Sequence, residues 1–192
     1  MIAILDYNAG NVRSVSNAVS RLGYKCRITS NKSELMKSGK LIIPGVGEAS
    51  SAMKWLIENQ LDKIITSLKQ PVLGICLGLQ LMCRFSEEGN TDCLGVFETD
   101  VRRFPPLDKD PHMGWNNFSS VSGDLFRGIS ANDDVYYVHS YYAELSPFTT
   151  AICDYIVPFS AAMMKDNFYA TQFHPEKSAG AGARILKNFL EL

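Results

Sequence analysis

The sequence predicts an α/β protein with a mostly parallel central sheet, helices on both faces and an antiparallel extension. Three observations carry that expectation. Short apolar runs alternate with amphipathic stretches through the first half, the pattern of strand–helix–strand units. In the second half few helical segments separate the apolar runs, so neighbouring strands there are expected to pair antiparallel. Finally, one apolar run ends in Gly74-Ile75-Cys76-Leu77-Gly78 and passes at once into a helical pattern. That is the form of a nucleophile elbow, a sharp strand-to-helix turn that lifts one side chain out of a sheet.

The elements follow in order. Ile2–Leu5 is continuously apolar and reads as a buried strand. A helix is expected from about 11 to 22, then strands at Cys26–Thr29, 41–43 and Val72–Ile75. Helices fall between them near 49–59, 61–68 and 79–85. Further strands are expected at 96–104, 135–138, 150–155, 161–165 and 168–173, with turns at 154–160 and at Asp166-Asn167. A last amphipathic helix carries Ile185, Leu186, Phe189 and Leu190 on one face. No repeat, linker or low-complexity segment interrupts the chain, so a single domain, 1–192, is expected in a three-layer arrangement.

Composition narrows the class. A chain of 192 residues, 46% of them hydrophobic and 20% charged, can bury a substantial core. A net charge of −1 without a basic run argues against a nucleic-acid surface. The longest apolar stretches are strand-sized, far short of a membrane span. The N-terminus has no basic region and reaches Asp6 at once, so it reads as a strand, not a signal peptide. The five cysteines, at 26, 76, 83, 93 and 153, have no metal-site spacing, and their odd number suits a reducing cytoplasm. Neither metal nor cofactor is expected. Cys83, two helical turns past Cys76, reads as core.

Chemistry converges on Cys76. A turn this sharp crowds the backbone, which is why glycines stand two residues before and after it. At a helix N-terminus, dipole and free N–H groups favour thiolate. Of three histidines, His112, His139 and His174, the last lies in Gln172-Phe173-His174-Pro175-Glu176 at the end of an apolar stretch. Pro175 biases His174 towards extended backbone, and residues two apart in extended chain share a side. Glu176 is therefore expected to orient the His174 ring, giving a nucleophile–base–orienter set. Singly, each piece is commonplace: a buried core cysteine, or a surface turn. Together, at two strand ends, they favour catalysis.

Two more loops belong at the carboxyl ends of strands, where sites form in such folds. In Pro44-Gly45-Val46-Gly47 the glycines free the Val46 peptide to rotate. The Val46–Gly47 backbone and the Leu77 N–H are the expected oxyanion donors, together worth several kcal/mol. The segment Val138-His139-Ser140-Tyr141-Tyr142 offers polar contacts through Ser140 and Tyr141. Gln80 lies one helical turn past Cys76 on the same face.

These residues together resemble the class I (triad) glutamine amidotransferases, and within them the branch that serves histidine biosynthesis. The stretches that carry the likeness are Asp6–Asn11, Pro44–Gly47, Gly74–Leu81, His112–Asn116, Tyr137–Tyr141 and Gln172–Ser178, in the family's order over nearly the whole length. The resemblance implies a flavodoxin-like core and a glutaminase with Cys76, His174 and Glu176 as its triad. It implies that Gly47, Gln80, Ser140 and Tyr141 contact glutamine. It also implies a heterodimer with a (β/α)8-barrel cyclase subunit, which uses the ammonia to make imidazole glycerol phosphate and an aminoimidazole carboxamide ribotide. Asn11, Tyr137 and Lys177 match positions near that interface. Position 8 is Asn where the family more usually has Gly; Asn tolerates positive φ, so the turn is expected to survive. Other readings are a paralogous glutaminase serving a different acceptor synthetase, and a cysteine peptidase or stress-response protein of related architecture. The peptidase reading requires neither Gln80 nor the loop 44–47.

Overall fold

Side chains that alternate between two hydrophobic layers organise the molecule. The computed structural model describes residues 1–7 and 11–192, so the expectation for Asn8 lies outside the described residues. The chain runs β1 (Ile2–Leu5), α1 (Val12–Arg21), β2 (Cys26–Thr29), α2 (Lys32–Lys37), β3 (Lys40–Ile43), α3 (Ala49–Glu58) and α4 (Asp62–Ser67). It continues through β4 (Val72–Ile75), α5 (Leu77–Met82), β5 (Cys83–Ser86), β6 (Thr91–Asp92), β7 (Phe97–Arg103), β8 (His112–Asn116) and β9 (Ser120–Val121). The remainder is β10 (Val135–His139), β11 (Tyr141–Ala143), β12 (Thr149–Asp154), β13 (Pro158–Lys165), β14 (Phe168–Thr171) and α6 (Ala179–Leu190).

An eight-stranded sheet runs β2-β1-β3-β4-β14-β13-β12-β9. Strands β2, β1, β3, β4 and β14 pair parallel, while β13, β12 and β9 extend the sheet antiparallel. Successive side chains of a strand face opposite ways, and β1 shows the consequence. Ile2 and Ile4 join α1 and α6 residues such as Val15, Val19, Ile185 and Phe189 in one layer. Ala3 and Leu5 join Leu35, Met53, Leu56 and Ile65 from the other helices. Because β4 and β14 are adjacent and parallel, their carboxyl ends bring residue 76 beside the segment after Thr171. That pairing brings two distant parts of the chain together.

Two expectations change, and one helix, α2, was not expected. The helix expected over 79–85 ends at Met82, and Cys83 starts β5. Pairing of β5 with β7 overrides local helical preference there; Cys83 is nonetheless fully buried. Strand β13 begins at Pro158, so the turn expected over 154–160 shrinks to 155–157. Helix α2 is only six residues long, too short for a periodicity, and is marked by Asn31, whose side chain caps the Glu34 N–H. Among the described residues no helix is long and apolar enough to cross a membrane.

Candidate active site

The glycines around Cys76 make the elbow possible. A Cβ at Gly78 would lie 2.1 Å from the Ile43 carbonyl oxygen, and one at Gly74 would lie 2.6 Å from that of Gly78. Only glycine fits either position. Cys76 itself holds φ 53° and ψ −106°, a conformation costing about 1–3 kcal/mol for a residue with a side chain. Its N–H donates to the Thr171 carbonyl at 2.7 Å, and its carbonyl accepts the Gln80 N–H at 3.2 Å. The strain is thus held from the β14 side and from α5.

His174 leaves the end of β14 and is fixed through its backbone. Its N–H donates to Tyr136 O at 2.9 Å, and its carbonyl accepts the Ser178 hydroxyl at 2.6 Å. Its Nδ1 lies 2.8 Å from Glu176 Oε1, with both side chains closed to solvent. Glu176 Oε1 also accepts the Asn11 amide. Burial alone would depress the imidazole pKa. The Cys76 sulfur and the Glu176 carboxylate outweigh it and raise the ring to about 10. Nε2 itself is buried and has no hydrogen-bond partner among the described residues. Nδ1–H is turned to Glu176, so Nε2 is the nitrogen left for the sulfur.

His139 is no rival base. Its Nδ1 lies 2.8 Å from Tyr141 O and its Nε2 lies 3.1 Å from His112 Nδ1. Burial pushes His112 down to about 4 and His139 to about 3, so both rings are neutral near pH 7.

A cavity of about 280 Å³ opens over Cys76. Val46, Gly47, Leu77, Gln80, Ser140 and Tyr141 all line it, so one space gathers every residue expected from sequence to surround the substrate. The larger groove, about 720 Å³, lies at the opposite ends of the strands near Met1, Lys40 and Leu190, away from the sulfur. Gly47 has φ 132°, a conformation natural only to glycine. No hydrogen bond holds the Val46 or Gly47 N–H among the described residues. The Leu77 N–H differs from expectation: it points at Gly45 O, 3.4 Å away, and is not free. That bond is long, at the edge of hydrogen bonding.

Two residues that sequence reasoning missed also belong here. Glu88 lines the cavity, and its Oε2 caps α3 by accepting the Ala49 N–H at 2.8 Å. Burial, and next the charge of Glu48, raise its pKa against that cap. Its signal was the acidic pair Glu87-Glu88 before Gly89. Gln172, fully buried, donates to Cys76 Sγ at 3.6 Å. Its place two residues before His174, on the same side of an extended segment, was the available clue.

The expected interface residues divide. Lys177 is exposed, its Nζ 5.8 Å from the Tyr136 ring centroid, within cation–π range. Asn11 is partly buried against Glu176. Tyr137 requires correction. Alternation along β10 sends it inward, where it is fully buried and stacks on His112 at 4.8 Å. The outward tyrosine is Tyr136, which meets the exposed Trp115 edge-on.

Comparison with known proteins agrees with this geometry. The family model for "Glutamine amidotransferase class-I" matches residues 3–192. A protein of Bacteroides fragilis named imidazole glycerol phosphate synthase subunit HisH is 61% identical, covering 100% of this chain and 99% of that protein. Its namesake from Escherichia coli K12 is 46% identical over the same shares. A solved glutamine amidotransferase superposes with a TM-score of 0.75 at 19% identity, covering 99% of this chain and 97% of that one, which shows the shared fold. The chain belongs to the class I glutamine amidotransferase family, among the imidazole glycerol phosphate synthase subunits HisH.

Proposed function

We propose that this chain hydrolyses glutamine at Cys76 and passes the ammonia to a (β/α)8-barrel cyclase subunit for imidazole glycerol phosphate synthesis. The reading rests above all on a strained cysteine in the wall of a half-open cavity, beside a buried histidine–carboxylate pair. The sulfur attacks the side-chain amide carbon, and the carbonyl oxygen takes up the negative charge. His174, protonated through Nε2, gives its proton to the leaving nitrogen, and ammonia departs as the thioester forms. The ring then takes a proton from water, which attacks the thioester and releases glutamate. Glu176 stabilises the charged ring throughout.

Within the cavity the free carboxylate edge of Glu88 suits the α-ammonium of glutamine. Gln80, Ser140, Tyr141 and Gly47 supply the remaining polar surface. Both Gln80 N–H groups are already committed, to Tyr141 O at 3.0 Å and Gln172 Oε1 at 3.2 Å. Its Oε1 is left to accept from substrate.

The oxyanion donors of Val46, Gly47 and Leu77 are assembled on demand. Leu77 N–H is turned to Gly45 O, and a second cavity of about 260 Å³, bounded by Tyr7, Trp55 and Leu77, lies beside the Val46–Gly47 peptide. The peptide has room to turn. Coupling that turn to the cyclase would prevent glutamine from being spent when no acceptor is present. Ammonia in water near neutral pH is mostly ammonium, which is not nucleophilic, so direct transfer to a partner keeps the nitrogen in its reactive form. The exposed Trp115 and Lys177, with the half-buried Tyr136, form the docking face for that subunit, in a cytoplasmic heterodimer. The test is glutamate release by the chain alone, with the cyclase, and with the cyclase and its acceptor nucleotide. Low, then higher, then highest release supports the reading; equal release in all three retires the coupling.

A further inference from the structure

A hydrogen-bonded chain runs behind the cavity, shares His139, Tyr141 and Gln80 with its wall, and ends on the sulfur. Asn116 Nδ2 lies 3.3 Å from His112 Nε2, and His112 Nδ1 lies 3.1 Å from His139 Nε2. His139 Nδ1 lies 2.8 Å from Tyr141 O, which also accepts Gln80 Nε2 at 3.0 Å. Gln80 Nε2 then donates to Gln172 Oε1 at 3.2 Å, and Gln172 Nε2 donates to Cys76 Sγ at 3.6 Å. The donor sense is fixed at both ends. An asparagine amide nitrogen can only donate, so His112 carries its proton on Nδ1, His139 likewise, and Tyr141 O only accepts. Gln80 has two N–H donors and spends both. Gln172 is therefore locked with its carbonyl towards Gln80 and its amide hydrogens towards the sulfur; a flipped amide would set two N–H groups against each other.

We infer that Gln172 is a positioning residue that holds and stabilises the Cys76 thiolate, with its amide orientation set by Gln80 and the Tyr141 carbonyl behind it. This rests on Cys76 being the nucleophile. A thiolate is stabilised by donors aimed at it, and near a strained backbone it also needs a partner that fixes the side-chain torsion. Gln172 is fully buried, so no water replaces it when the cavity empties. Its site is set by the sheet, one residue beyond β14. It contacts neither His174 Nδ1 nor Glu176, so its effect is separable from theirs.

The test is the rate of Cys76 alkylation by iodoacetamide against pH, with steady-state glutaminase kinetics in the complex with the cyclase. The proteins are the parent, Gln172→Met and Gln172→Glu. Gln172→Met removes the donor at similar volume, and Gln172→Glu keeps the acceptor for Gln80 but places an anion beside the sulfur. The pH midpoint of alkylation should move up by about one unit in Gln172→Met and further in Gln172→Glu. The kcat should fall on the order of tenfold in each, with KM little changed. A profile for either folded variant that overlays the parent's overturns the inference. A parent that stays active after Cys76 is alkylated overturns the nucleophile reading instead.

Discussion

Glu176 Oε1 and His174 Nδ1 stand 2.8 Å apart with neither side chain open to solvent. A buried ion pair of this kind is favourable only when other hydrogen bonds complete it. Here Asn11 supplies one to Oε1, while Glu176 Oε2 and His174 Nε2 have no partner among the described residues.

A pH dependence follows from that pair. His174 is raised from its ordinary 6.5 to about 10, so its protonated form stabilises the fold fully below 6.5. The contribution is lost as pH rises through about 10. Glu176→Gln should therefore lower the melting temperature most below pH 6.5, with the gap to the parent narrowing as pH approaches 10. A gap that widens with pH would show that His174 is not held protonated.

Removing the sulfur separates the two halves of the reaction. Cys76→Ala should abolish glutamate release, yet the complex should still make product from supplied ammonia. The check is a pair of assays, one with glutamine and one with an ammonium salt at raised pH. His174→Ala should behave alike, whereas His139→Ala should be milder.

Glu88 should act on substrate affinity. Glu88→Gln keeps an oxygen for the Ala49 N–H, so helix α3 stays capped. A lost charge-assisted contact to the α-ammonium is worth about 1.5–3 kcal/mol, roughly a ten- to hundredfold rise in KM. Unchanged KM would remove Glu88 from the substrate's surroundings.

The elbow should not tolerate a methyl group. Gly78→Ala would put a carbon 2.1 Å from Ile43 O, and relief requires backbone movement costing about 1–3 kcal/mol or more. Chemical denaturation should show that loss, accompanied by loss of activity. A variant as stable and active as the parent would mean the elbow is less crowded than it stands here.

The docking face is testable through Lys177. Lys177→Ala should leave unstimulated glutamate release intact and weaken the stimulation by the cyclase. Full stimulation in that variant would place the coupling elsewhere.

Local rules carried the sequence reading well where a feature depends on its own neighbours. The Gly74–Gly78 spacing, the extended His174–Glu176 pair and the helical offset from Cys76 to Gln80 are of that kind. Cys83 went to the wrong element because its strand exists only through pairing with Phe97. The family resemblance alone places Tyr137 at the interface, and the alternation along β10 buries it and turns Tyr136 outward instead. Gln172 gained its role only when β14 docked beside β4, a contact between distant segments. Glu88 stayed hidden for the same reason, since its cap lies on Ala49.

The most direct test of the whole account is labelling with a glutamine analogue that carries a chloroketone in place of its amide, followed by peptide mapping. The expected result is one equivalent bound at Cys76, glutaminase activity lost in proportion, and protection by glutamine. Stoichiometric labelling at Cys26, Cys83, Cys93 or Cys153 instead, or full labelling of Cys76 with activity retained, would contradict it.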